Sequence, residues 1–209
     1  MCGKYGGPAE LAVFAGYLNV PPPFKNLPKG ETYLPLQTVP VFARNSQGET
    51  VLKEMRWGLV PGYFTGHTND WHGATIHARL ETVTSTASYE SAWAKKRRVI
   101  FPMSRFYEKA DGLAKRIGMK PGNIRIAVTR TDDKPLAVAG IYDFARTNDG
   151  PCLSAAMLTR APGEHMGQYH EREPVVLAPE DWAAWLAGSD DIDLARPLLA
   201  DQARITIAT

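Results

Sequence analysis

Cysteine is nearly absent: Cys2 and Cys152 are the only two in 209 residues. A small secreted domain held by disulfides carries more, so both are read as free thiols in a reducing compartment. Long apolar runs are missing too. None approaches the roughly 18–20 residues that span a bilayer. The start, Met1-Cys2-Gly3-Lys4-Tyr5-Gly6-Gly7, has no basic segment followed by an apolar one, as a secretory leader would. The expected location is therefore the cytoplasm. There is no internal repeat, low-complexity tract or polar linker, which predicts a single domain over 1–209. Charge of one sign is not in excess: 24 Lys and Arg stand against 22 Asp and Glu, a net +2. Such a balance does not by itself imply nucleic acid; what matters is whether the positive charge gathers on one face. Metal motifs are lacking as well. The five histidines, His67, His72, His77, His165 and His170, accompany no Cys pair and no His-Glu-x-x-His helix, so neither metal nor cofactor is expected.

What is present is a series of short strands. Residues 39–44 and 50–57 read as strands around the turn Asn45-Ser46-Gln47-Gly48, and 99–102, 124–129, 136–142, 152–159 and 174–177 read as further strands. Helical spacing appears at 8–18, with Leu11, Phe14, Ala15 and Leu18 on one side, at 88–96, and at 179–186, where Trp182, Trp185 and Leu186 form a core face. The tail at 192–199 reads as one more helix. Many strands with few helices between them argue against βαβ units. The predicted fold class is α+β: a mostly antiparallel, barrel-like β core with peripheral helices.

Cys2 directly follows the initiator methionine. Removal of Met1 would leave a free α-amine and a thiol on neighbouring carbons. An unperturbed α-amine has a pKa of roughly 7.7–8.0 and a free thiol roughly 8.5, so both nucleophiles are partly available near neutral pH. This 1,2-aminothiol suits an aldehyde: the amine condenses to a Schiff base and the thiol closes a five-membered thiazolidine. An internal cysteine lacks the amine. The ring-opened abasic site of DNA is such an aldehyde. Position alone favours an incidental second residue.

Five segments, in order, resemble the SRAP (SOS-response-associated peptidase) family. The start Met1-Cys2-Gly3-Lys4-Tyr5 is similar to its Met-Cys-Gly-Arg-Phe/Tyr. Arg56-Trp57-Gly58-Leu59-Val60-Pro61-Gly62-Tyr63 resembles its Trp-Gly-Leu-x-Pro-x-Trp. Ile76-His77-Ala78-Arg79-Leu80-Glu81-Thr82 resembles its Asn-Ala-Arg-x-Glu-Thr. Arg98-Val99-Ile100-Phe101-Pro102 through Phe106-Tyr107-Glu108 resembles its Arg-x-Leu-x-Pro and Phe-Tyr-Glu-Trp. Tyr169-His170-Glu171-Arg172-Glu173-Pro174-Val175-Val176-Leu177 resembles its His-x-Arg-Met-Pro-x-Ile-Leu. The resemblance spans about residues 1–187. It implies a sensor of abasic sites in single-stranded DNA that crosslinks the lesion through Cys2 and shields it, acting as a monomer and associated with the nucleoid when bound. It also implies peptidase-like self-processing of the N-terminus.

The resemblance assigns roles residue by residue. Cys2 is the nucleophile, and Glu108 shuttles protons during Schiff-base formation; without the match, Glu108 reads as a strand-end salt bridge. His170 protonates the opening sugar ring, where a lone histidine would read as a loop residue. His77 stands where the family has an asparagine lining the reactive centre. Arg79 holds a phosphate, or else forms an ion pair with Glu81. Lys4 stands in for the family's arginine and lacks its planar fork. Trp57 and Pro61 form an apolar wall against bases, with Trp57 equally readable as plain core. Thr159 hydrogen-bonds near the site. Two further departures are Lys109 for the tryptophan after the glutamate and Arg105 for a glycine. The densest basic run, Lys95-Lys96-Arg97-Arg98, reads as a phosphate track or a solvated helix end. The alternatives are an N-terminal-nucleophile glutamine amidotransferase, which shares only the first three residues, and a non-catalytic single-stranded DNA-binding module.

Overall fold

A computed structural model describes residues 3–7, 11–20, 32–71 and 73–208. Its strands, in chain order, are β1 (Tyr5–Gly6), β2 (Thr32–Tyr33), β3 (Thr38–Arg44), β4 (Thr50–Trp57), β5 (His77–Arg79), β6 (Arg98–Met103), β7 (Arg105–Lys109), β8 (Arg125–Arg130), β9 (Leu136–Thr147), β10 (Gly150–Arg160), β11 (Glu173–Pro174) and β12 (Ala203–Ala208). The helices are short: α1 (Leu11–Leu18), α2 (Glu90–Ala94), α3 (Asp111–Arg116), α4 (Glu164–Gly167) and α5 (Trp182–Leu186). None is long and apolar enough to cross a membrane, among the described residues.

Five strands close on themselves. β3 pairs with β4 and β6, β6 with β9, and β9 with β10; β10 returns to β4 in parallel register. The hairpin β3–β4 forms because Asn45 Oδ1 accepts the backbone N–H groups of Gln47 (3.0 Å) and Glu49 (2.9 Å), so the side chain satisfies the turn that the flanking alternation requires. A second sheet, in the order β12-β8-β7-β1-β2, is antiparallel throughout. The architecture is thus the expected α+β arrangement, a mostly antiparallel barrel core with helices outside it.

One apolar cluster joins the second sheet to the barrel. Tyr5, fully buried on β1, contacts the rings of Tyr33, Trp57 and Phe101 at 5.2, 5.3 and 6.5 Å. The other cluster lies under the helices. There Phe14 stacks on Phe42 (5.4 Å) and Trp182 (4.6 Å), and the Trp185 indole donates to the Val99 carbonyl at 2.9 Å. The predicted core face of 179–186 is therefore real, although its first turn is a 3-10 segment, Pro179–Asp181.

Two expectations are corrected. Residues 192–199 form no helix: Asp193 Oδ1 takes the Ala195 N–H (3.0 Å), a side-chain bond that competes with helical pairing, and Pro197 has no N–H to give. The chain instead continues into β12, which the sequence reading did not anticipate. The run at 95–98 is a solvated helix end only at Lys95 and Lys96, and it is not a phosphate track. Lys96 pairs with Asp190 and Arg97 with the buried Asp143. Arg98 is buried with its guanidinium 3.9 Å from the Trp93 ring and 4.9 Å from the Trp185 ring. Burial lowers its pKa to about 10. Only Lys95 remains an exposed cation of that run with no ion pair, among the described residues.

Candidate active site

The site is assembled where three chain segments meet β7. In a strand, successive side chains face opposite ways, so Phe106 and Glu108 point inward while Arg105, Tyr107 and Lys109 point outward, as their burial alternates. Glu108 is 4% exposed. The N-terminal strand runs antiparallel beside it, with Tyr5 opposite Phe106, and the Tyr107 N–H donates to the Lys4 carbonyl at 3.0 Å. Continued one step, this register sets Gly3 opposite Glu108. Cys2 lies outside the described residues.

His170 arrives from the segment after α4. Its Nε2 is 3.7 Å from Glu108 Oε2, and both side chains are nearly inaccessible. Its Nδ1 lies 3.1 Å from the Arg172 backbone N–H and 3.0 Å from the Arg172 carbonyl. Neutral imidazole accepts the first with a proton on Nε2; imidazolium donates to the second. The ring is served in either protonation state while Nε2 faces the carboxyl.

The segment carrying His170 is tied down on both sides. Arg172 forms a bidentate pair with Glu81 (2.8 Å for both bonds) and donates to the Thr159 carbonyl at 2.8 Å and hydroxyl at 3.3 Å. The Arg172 guanidinium holds the Glu81 carboxyl at a pKa of about 2. Glu173 is buried and accepts the N–H groups of Gly163 (3.2 Å) and Leu198 (3.3 Å), while burial pushes its pKa up. On the other flank the Gly112 N–H donates to the Tyr169 carbonyl at 3.1 Å. A Cβ at Gly112 would stand 2.8 Å from the Gln168 carbonyl oxygen, so only glycine lets α3 approach this closely.

β5 stands beside Thr159, the residue that Arg172 contacts. It pairs in parallel with β10, placing Arg79 beside Thr159 and His77 beside Met157. The reason it can do so is Gly58. At φ +133 the chain turns out of β4, where a Cβ would meet Arg56 Nη1 at 2.8 Å, and re-enters the sheet as β5. This explains physically why a glycine follows Trp57. His77 is 5% exposed, its ring edge-on to Trp57 at 6.1 Å, and Tyr89 fixes its strand by donating to the His77 carbonyl at 2.8 Å.

The structure therefore brings Glu108 and His170 together and sets Thr159 and Arg79 side by side. Arg79 is exposed, and its pairing with Glu81 does not form, because Arg172 occupies that carboxylate. Lys4 sits at the mouth of the N-terminal strand with Nζ 4.8 Å from the centre of the Tyr107 ring. Two residues expected to wall the bases are corrected, Trp57 in favour of its other reading as core. Trp57 is fully buried and donates its indole N–H to the Ile76 carbonyl (3.0 Å), so it offers no face to a base. Pro61 is buried in the loop from β4 to β5, where the next residue, Gly62, donates to Asp143 of β9 at 2.8 Å. Thr159 is 2% exposed, with its hydroxyl turned to Arg172. Arg172 and Tyr89, which order the site, carried no sequence signal beyond their place in or near a matching segment.

Comparison with known proteins bears on the family and the fold. Residues 1–208 match the family model of the SOS response associated peptidase (SRAP). The chain is 28% identical over 196 residues to the abasic site processing protein YoqW of Bacillus subtilis (strain 168), covering 89% of this chain and 80% of that protein. It is 29% identical to YobE, an abasic site processing protein of the same organism, covering 89% and 82%. Its fold is similar to a crystal structure from Bordetella bronchiseptica, with a TM-score of 0.83 at 24% identity over the whole of both chains. The chain belongs to the SRAP family.

Proposed function

We propose that this protein processes abasic sites in single-stranded DNA by capturing the lesion's aldehyde covalently through Cys2. The observation that carries the reading is the inaccessible Glu108–His170 pair at 3.7 Å, at the end of β7 where the N-terminal strand begins. Gly3, the next residue in sequence after Cys2, continues the register of the N-terminal strand toward Glu108. A carboxyl and an imidazole facing each other suit proton transfer to and from an amine, and the relatives are named for abasic site processing.

The chemistry begins after Met1 is removed, the step to which the family's peptidase name corresponds. The α-amine gives up a proton to Glu108 and adds to the aldehyde carbon. Glu108 returns a proton to the carbinolamine hydroxyl, which leaves as water and yields the imine. The Cys2 sulfur then adds to the imine carbon, its proton passes to the nitrogen, and the thiazolidine closes. Aldehyde and aminothiol combine with loss of one water. Before that, His170 gives a proton to the sugar ring oxygen, the ring C–O bond breaks, and the C1 hydroxyl gives its proton to Glu108, which passes it back to His170 and leaves the free aldehyde. His77 offers a hydrogen bond in place of the family's amide, and Arg79, whose neighbour Glu81 is already neutralised, takes a flanking phosphate. The protein acts as a monomer, since a lesion on one strand needs no two-fold partner.

The test is crosslinking of an abasic oligonucleotide under denaturing electrophoresis. Glu108→Gln and His170→Ala are each expected to slow adduct formation by on the order of 10²-fold, while Cys2→Ala abolishes it. Adduct formation at the parental rate by Glu108→Gln would remove that residue from the mechanism.

A further inference from the structure

The second sheet has an outer face that the active site does not use. Side chains at Arg105, Tyr107 and Lys109 of β7 point outward, and register places Lys109 opposite Arg125 and Tyr107 opposite Ala127 of β8. On the far side, Ala127 faces Thr206 of β12. Arg105, Lys109 and Arg125 are exposed, and among the described residues none of them makes an ion pair. Lys4 joins them over the Tyr107 ring. No acidic side chain of the described strands projects from this face between them; the nearest paired cation at its margin is Arg204, held by Asp133 at 3.1 Å. Arg105 and Lys109 are also two of the positions at which this chain departs from the family pattern, and both departures add a cation to the same face.

We infer that this face binds the phosphodiester backbone of single-stranded nucleic acid, with Arg105, Lys109 and Arg125 as its phosphate contacts. The inference rests on the reading that the protein acts on single-stranded DNA. Charge complementarity selects an extended polyanion. Four steps of strand separate Arg105 from Lys109, about 13 Å at roughly 3.3 Å each, and Arg125 stands across from Lys109, so the cations mark two points along the strand, a spacing that suits successive phosphates. Between them lie Tyr107, Ala127, Thr129 and Thr206, none of them the Trp, Phe or Leu that inserts into a bilayer. Lys109 flanks Glu108 in sequence but faces the other way. A strand that presents one nucleotide to Glu108 rounds the end of β7 and lies along this face.

The probe is undamaged oligothymidylate, whose binding is followed by fluorescence anisotropy over a series of salt concentrations. The variant is Arg105→Ser/Lys109→Ser/Arg125→Ser, all exposed sites, with its melting temperature as the folding control. Each phosphate contact on a single strand contributes about 0.7 to the slope of log K against log salt. The variant is therefore expected to lose about 2 from that slope and to bind at least tenfold more weakly at low salt. At saturating protein it should still crosslink a short abasic oligonucleotide, because Cys2, Glu108 and His170 are unchanged. Equal slopes and affinities for parent and variant overturn the inference. So does parental binding to phosphatidylserine vesicles without binding to oligothymidylate, which would make the face a membrane contact. A lost slope together with no crosslinking in the parent sinks the functional reading and leaves the face standing. Crosslinking with unchanged slopes does the reverse.

Discussion

Two groups of cations invite comparison: the contiguous run 95–98, and the three scattered residues Arg105, Lys109 and Arg125. In the sequence only the first looks basic. In the fold it is largely spent, with Lys96 on Asp190, Arg97 on Asp143 and Arg98 between two indoles. The scattered three stand unpaired on one sheet face because strand alternation and antiparallel register bring them there. Charge density along a chain is thus a poor guide to charge density on a surface. A run must turn through several directions within a few residues, whereas every second position on paired strands shares one.

This difference can be broken by substitution. The largest effect is expected at Arg97. Removing it leaves Asp143, 1% exposed, without its cation, and an orphaned buried charge costs about 3–5 kcal/mol. Arg97→Ala should therefore lower the urea midpoint sharply. Arg98→Ala comes next, at about 2–3 kcal/mol from lost packing against Trp93 and Trp185, and should shift tryptophan emission. Lys96→Ala breaks an exposed pair and should cost below about 1 kcal/mol. The Ser variants of Arg105, Lys109 and Arg125 should each stay within about 0.5 kcal/mol of the parent. If those three destabilise as much as Arg97→Ala, the contrast between the two groups is wrong.

The Arg172–Glu81 tie gives a pH signature. Glu81 has a folded pKa of about 2, below its ordinary value of roughly 4.3. Its contribution to stability is fully present above the ordinary value and is lost as pH falls toward 2. Glu81 is partly exposed, so solvent screening keeps the effect below about 1 kcal/mol. Glu173 runs the other way: burial raises its pKa, so its contribution is present at low pH and lost as pH rises through the folded value. Acid titration of Arg172→Ala, compared with the parent, should show the Glu81 component missing between about pH 4.3 and 2.

Much of the barrel is legible from the sequence because its hairpin β3–β4 combines alternation with an Asn-initiated turn. β9 and β10 are longer than they read, since Asp143, Arg146 and Thr147 look like loop residues yet pair across the hairpin. β5 is illegible: His77-Ala78-Arg79 is too short to show a period and exists only because β10 offers it an edge. The site divides in the same way. Glu108 and His170 stood out only by family resemblance, since nothing local says that the segment after α4 returns to β7. Trp57 and Thr159 sit in matching segments, but their burial depends on β1 and Arg172, partners far along the chain.

The most direct test of the central claim is the intact mass of the protein after incubation with an abasic single-stranded oligonucleotide. The account predicts a protein lacking Met1 whose mass rises by that of the oligonucleotide less one water, with no such species from Cys2→Ala or from undamaged DNA. A processed protein that forms no adduct, or an adduct that survives Cys2→Ala, would contradict it.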